Sequence, residues 1–154
     1  MENNSVEKWL WTKARLIRCF VSLAEASSPE KMKLEYLADA SPPLIRLYEF
    51  NQAEVRQLRE LVSSLVAGTR QSVALQSEAW AKSIDGCCLN LRLGNRDRGI
   101  LPVSDLNFEC TLTSDGWSNV EGLLDPFCES EIAGYQWLTH DGRVPLLISQ
   151  HGQW

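Results

Sequence analysis

The chain has 154 residues, 44% of them hydrophobic and 23% charged, and carries a formal net charge of −5. That length suits one ordinary domain able to bury a core without metals or disulfides, and the composition is far from that of a disordered chain. The acidic balance argues against a general nucleic-acid binder, which needs a basic face. No run approaches the roughly 18 apolar residues of a membrane span.

The opening "MENNSVEKWLWTKARLIRCF" starts acidic and polar and lacks a continuous apolar segment, so no secretory signal is expected. Residues 6–26 read as an amphipathic helix, with Val6, Leu10, Ile17, Phe20, Val21 and Ala24 at helical spacing and Lys8, Lys13, Arg15 and Arg18 mostly elsewhere. Such a helix either packs on its own domain, the usual case in soluble folds, or lies on a membrane or a partner. The polar break "EASSPE" divides the chain into an N-terminal helical element, 1–28, and an α+β domain, 29–154.

In "KMKLEYL", Met32, Leu34 and Tyr36 alternate with charged neighbours, which predicts a half-buried strand rather than a helix. "LIRLYEF" follows as a second strand. Asn51 and Glu54 then have the spacing of a capping box, Val55, Leu58, Leu61, Val62 and Leu65 form one stripe, and Gly68 stands where that helix should stop. After "SVAL" and a loop with Trp80, "CCLNLRLG" sets Cys87, Leu89, Leu91 and Leu93 against Cys88, Asn90 and Arg92. "ILPV" reads as an edge strand because Pro102 cannot donate to a ladder. Phe108, Cys110 and Leu112 mark the next strand. Ser114 is expected to cap a second helix ending at or before Pro126.

Asp141-Gly142 is the dipeptide of a two-residue hairpin turn. That register places Trp137 opposite Leu146, Tyr135 opposite Ile148 and Thr139 opposite Val144, with His140 and Arg143 at a solvent-facing turn. Trp137 is therefore expected to be a buried core residue and His140 a surface one. In "SQHGQW", Gly152 permits a bend that folds Trp154 back on the sheet; an exposed Trp154 would suit a protein-binding hot spot instead. Residues 31–93 and 100–149 each run strand, strand, helix, strand, strand. The fold class is α+β: a mainly antiparallel sheet, compatible with two ββαββ units, with helices on one face.

Chemistry-bearing patterns are sparse. Cys19, Cys87, Cys88, Cys110 and Cys128 are odd in number and show no framework spacing, which predicts reduced thiols in a cytoplasmic protein. No CxxC or HxxxH pair is present, and Cys87 and Cys88 point to opposite faces of a strand, so neither a metal nor a cofactor is expected. There is no GxSxG, GxxxxGK[ST] or GxGxxG. "NRDRG" carries Arg96 and Arg98 on a glycine-bounded loop, suited to bidentate capture of an anion or an acidic partner.

These features point to a non-enzymatic protein-interaction module, immunity-like or regulatory, with binding residues Arg96, Arg98, Trp154 and His140. The expected partner is a protein, not nucleic acid or membrane, and a homodimer is compatible with the sequence. The contrasting reading is a small-molecule-binding or hydrolytic domain with a pocket near Cys88, Arg92 and His140.

Overall fold

The structure is a computed structural model and describes residues 31–154, so the helix expected over 6–26 lies outside the described residues. Nine strands and two helices follow in order: β1 (Met32–Leu37), β2 (Leu44–Tyr48), α1 (Gln52–Ala67), β3 (Ser72–Ala74), β4 (Ala81–Ser83), β5 (Cys88–Leu93), β6 (Gly99–Ser104), β7 (Asn107–Leu112), α2 (Ser114–Glu129), β8 (Tyr135–Thr139) and β9 (Leu146–Ser149). The fold is α+β.

The strands form two sheets, β4-β1-β2-β9-β8 and β3-β5-β7-β6. The expected ββαββ runs are both present, but each is shared between the sheets instead of supplying half of one. The first run places β1 and β2 in one sheet and, after α1, β3 and β5 in the other. The second places β6 and β7 beside β5 and, after α2, returns β8 and β9 to β2. Without β4, the two orders β1-β2-β9-β8 and β6-β7-β5-β3 are the same pattern with the runs exchanged. The central contacts, β2 with β9 and β5 with β7, are both parallel, while the flanking pairs are antiparallel. Even the linking segments correspond. The β3–β5 connection sends β4 to β1, and the β8–β9 connection sends Val144 to bridge Ile100 of β6. The chain thus has an internal two-fold topology.

Alternation sets what each sheet buries. Leu34, Ile45 and Ile148 of one sheet and Leu89, Leu91, Phe108 and Cys110 of the other belong to a single core with the apolar stripes of both helices. Tyr36 and Phe108 meet across it with ring centroids 4.7 Å apart. Trp117 is fully buried and donates its indole N–H to the Arg92 carbonyl at 2.9 Å, which seats α2 against β5.

The helices obey local capping rules. Asn51 accepts from the Glu54 N–H at 2.9 Å and Glu54 accepts from the Asn51 N–H at 3.2 Å, a capping box. The second Glu54 oxygen accepts from the Met32 N–H at 2.5 Å, so this buried carboxylate also ties α1 to β1. Gly68 ends α1 with φ at 74°, where any other residue would be strained.

Helix α2 departs from expectation at both ends. Its cap is Thr113, which accepts from the Gly116 N–H at 3.1 Å, while the Ser114 hydroxyl donates to the Val66 carbonyl of α1 at 2.7 Å. Pro126 lies inside the last turn rather than at or beyond the end. The residue four positions earlier is Gly122, exposed and with open space around it, so its unpaired carbonyl can be hydrated.

The final hairpin corrects the expected register. Trp137 pairs with Leu147, Tyr135 with Ser149 and Thr139 with Leu146, with an irregularity between Trp137 and Thr139. Asp141-Gly142 does not make a two-residue turn. The connection 140–145 is instead held on β6, where the Arg143 N–H donates to the Ile100 carbonyl at 3.0 Å. Trp137 is therefore half-buried on the face opposite Ile148.

Candidate interaction surface

The loop 94–99 leaves β5 at Gly94 and enters β6 at Gly99. Its shape follows from Asp97, whose Oδ1 accepts from both the N–H and the hydroxyl of Thr113, at 2.8 and 2.9 Å. Those contacts place a carboxylate at the start of α2, where the helix dipole favours negative charge. Arg98 is fixed through its backbone, donating to the Thr111 carbonyl at 2.9 Å.

The loop meets the β8–β9 connection with no room for side chains. A Cβ on Gly99 would lie 1.9 Å from the Asp141 carbonyl oxygen, and one on Gly142 would lie 2.5 Å from the Ile100 oxygen and 2.8 Å from the Arg98 oxygen. Both glycines also have positive φ, 67° and 83°. Glycine is thus required on each side of the contact. The close approach sets the backbone at Arg98 beside Gly142, the residue before Arg143, with Arg96 two residues before Arg98.

These arginines differ in their partners from Arg46, Arg56, Arg59 and Arg92, while the exposed Arg70, beside an open pocket, also has no ion pair among the described residues. Arg46 pairs with Glu35, Arg59 with Asp125 and Glu121, and Arg92 with Glu109, while Arg56 donates to the Cys128 carbonyl. Arg96, Arg98 and Arg143 are exposed and form no ion pair among the described residues. Asp97, the carboxylate between the first two, is engaged with Thr113. Asp141, exposed on the neighbouring loop, is likewise outside the ion pairs of the described residues. The three guanidiniums keep their donors available to an external acceptor.

The remaining candidates divide. His140 is exposed beside the same loop contact, its ring 5.5 Å from that of Trp137. Trp154 is 52% exposed and lies elsewhere, on the outer face of the five-stranded sheet, with the Arg46 guanidinium 5.2 Å from its ring centroid. Gly152 makes the bend that brings it there, with φ at 76°. The other histidine, His151, has its Nε2 3.0 Å from Glu131 Oε1.

Cys88, Arg92 and His140 are not gathered around one cavity. Cys88 and Arg92 are both on β5, four residues and so about 13 Å apart. Cys88 sits opposite Asn107 at the start of β7, whereas the His140 loop abuts the far end, near Ile100 and its partner Cys110. An open pocket of about 230 Å³ lies elsewhere, lined by Gln57, Glu60, Leu61, Ser64, Arg70, Glu78 and Trp80.

Burial governs the thiols. Cys87 and Cys110 are fully buried, and loss of hydration raises the Cys87 pKa to about 12 and pushes Cys110 up further. Cys128 is raised by the same cause, which outweighs its neighbouring arginines. Such thiols are poor nucleophiles at neutral pH. Among the described residues no group of three or more His, Cys, Asp or Glu side chains is placed to hold a metal ion, and no helix is long and apolar enough to cross a membrane.

The sequence pattern identified Arg96 and Arg98 but passed over Arg143, whose proximity depends on the Gly99–Gly142 contact. The two glycines are the only trace of that contact in the sequence, and a Gly after Asp reads locally as a hairpin turn. Comparison with protein-family models, curated proteins and solved structures gives no match.

Proposed function

We propose that this chain is a non-enzymatic protein-interaction module that holds an acidic segment of a partner protein where the loops 94–99 and 140–145 meet. One observation carries the reading: Arg96, Arg98 and Arg143, on two loops whose backbones touch at Gly99 and Gly142, are exposed and form no ion pair among the described residues, while Asp97 is engaged with Thr113. An unpaired arginine on a loop braced by strands is suited to charge-assisted, bidentate recognition of a carboxylate. The protein's overall acidity, −5, would repel an acidic partner at long range and so favours approach at this end. A cytoplasmic regulator or immunity-like inhibitor is the kind of protein that fits, by analogy of size and charge.

The test is affinity capture from the native source at low ionic strength, comparing wild type with the triple variant R96A/R98A/R143A. The reading expects a partner that is retained by wild type and lost by the variant, with a melting temperature nearly unchanged, because exposed charges contribute little to stability. Equal retention by the two proteins would remove this surface from the function.

A further inference from the structure

We infer that β6 is the docking track for an amphipathic segment of another protein, acidic where it meets Arg96, Arg98 and Arg143 and apolar where it passes Leu101, Val103 and Leu106; this inference rests on the reading of the arginine end given above. Three observations support the track.

The first is continuity. The antiparallel bridge between Ile100 and Val144 brings Arg143, one residue before Val144, beside Leu101, one residue after Ile100. From there exposed apolar residues continue along the strand, Leu101 at 37% and Val103 at 62%, past a register irregularity between Pro102 and Ser104, to Leu106 at 39% in the turn that follows.

The second is the conformation of Leu106. It closes the β6–β7 hairpin at φ 57°, a left-handed conformation that a turn normally gives to Gly or Asn. A leucine held there is strained and leaves over a third of its surface exposed. That pattern fits a residue retained for contact with something outside.

The third concerns the mode of contact. The Ile100 carbonyl points away from β7, to Arg143, and alternation turns Pro102 to the same open side, where it has no N–H to offer. A partner therefore cannot extend the sheet as a fully hydrogen-bonded strand. It has to bind through side chains, carboxylates on arginines and apolar groups on the leucine and valine.

The experiment titrates the full chain with two synthetic peptides, tetraglutamate and tetraglutamate extended by Gly-Leu-Ser-Leu. Backbone amide shifts and calorimetric affinities are recorded for wild type and for V103S/L106N. Both changes are at exposed positions, and asparagine suits the left-handed conformation. Both peptides are expected to shift the amides of the arginine loops. The extended one is expected to bind wild type about tenfold tighter, a difference of about 1.4 kcal/mol, to shift Leu101 through Leu106 as well, and to lose that advantage on V103S/L106N. Equal affinity of the two peptides, or an unchanged advantage on the variant, would overturn the apolar track while leaving the arginine site standing. Failure of either peptide to perturb the arginine loops would overturn the underlying reading. Wild-type dimers in sedimentation that dissociate in V103S/L106N would assign the strip to self-association and also overturn the inference.

Discussion

The Arg46 guanidinium lies 3.9 Å from the centroid of the Tyr48 ring, stacked on its neighbour-but-one along β2. The same group bonds Glu35 of β1 through Nε at 2.7 Å and donates to the Gly152 carbonyl at 3.1 Å. One side chain thereby joins two strands and the C-terminal segment on the outer sheet face. Arg46→Ala should destabilise the domain by about 1–3 kcal/mol, since it removes the cation facing the partly buried Glu35. Arg46→Lys should recover only part of that loss, because an ammonium lacks the planar fork that both stacks and bonds. Urea melts of the two variants test this; a lysine variant as stable as wild type would show that only the charge matters.

The Gly99–Gly142 contact should be intolerant of any side chain. Gly99→Ala places a methyl on the Asp141 carbonyl and forces a positive φ, so a loss above about 3 kcal/mol is expected, beyond the usual range for a point change. Gly134 also has positive φ but nothing within 4 Å, and Gly134→Ala should cost only about 1 kcal/mol, from the left-handed backbone. Melting both variants separates backbone strain from collision; equal losses would contradict the close approach.

The corrected hairpin register carries its own expectation. Trp137 is half-buried opposite Leu147, so Trp137→Ala should cost about 1–2 kcal/mol, below the about 3–5 kcal/mol of a core aromatic. Ile148→Ala, fully buried on the core side, should cost about 2–5 kcal/mol. Denaturant melts in which Trp137→Ala is the more damaging would restore the register expected from the turn.

That register shows where sequence legibility ends. Alternation along Met32–Tyr36 and Cys87–Leu93, and the capping box at Asn51 and Glu54, match the structure because each is a local signal with one buried face or one end to satisfy. All four residues of β9 are buried, so polarity says nothing about which way each side chain points. The exchange of strands between sheets was equally hidden, since a run of strand, strand, helix, strand, strand is consistent with one sheet or two. At the surface, the unpaired arginines of one loop were visible, while the third required the fold to bring it there.

The buried thiols link stability to alkaline pH. Folding raises the pKa of Cys87, Cys110 and Cys128, so between the ordinary thiol value, about 8.5, and the folded values the unfolded chain gives up protons that the folded chain keeps. Their stabilisation is complete below about pH 8.5 and declines as pH rises, by up to about 1.4 kcal/mol per pH unit for each thiol. Tyr48, raised first by burial and then by Glu35, adds to the decline above about pH 10. Urea midpoints measured from pH 7 to 10 should be level at first and then fall, less steeply in Cys110→Ala. A flat profile would mean that these thiols are hydrated.

The most direct test of the arginine site is the ionic-strength dependence of tetraglutamate binding, followed by anisotropy of a labelled peptide on wild type and on R96A/R98A/R143A. Wild type should bind at 50 mM salt and weaken several-fold by about 200 mM, as exposed charge pairs are screened. The triple variant should show little binding at either salt concentration, with its melting temperature preserved. Equal binding by the two proteins, or wild-type binding indifferent to salt, would contradict the assignment of Arg96, Arg98 and Arg143 as the recognition site.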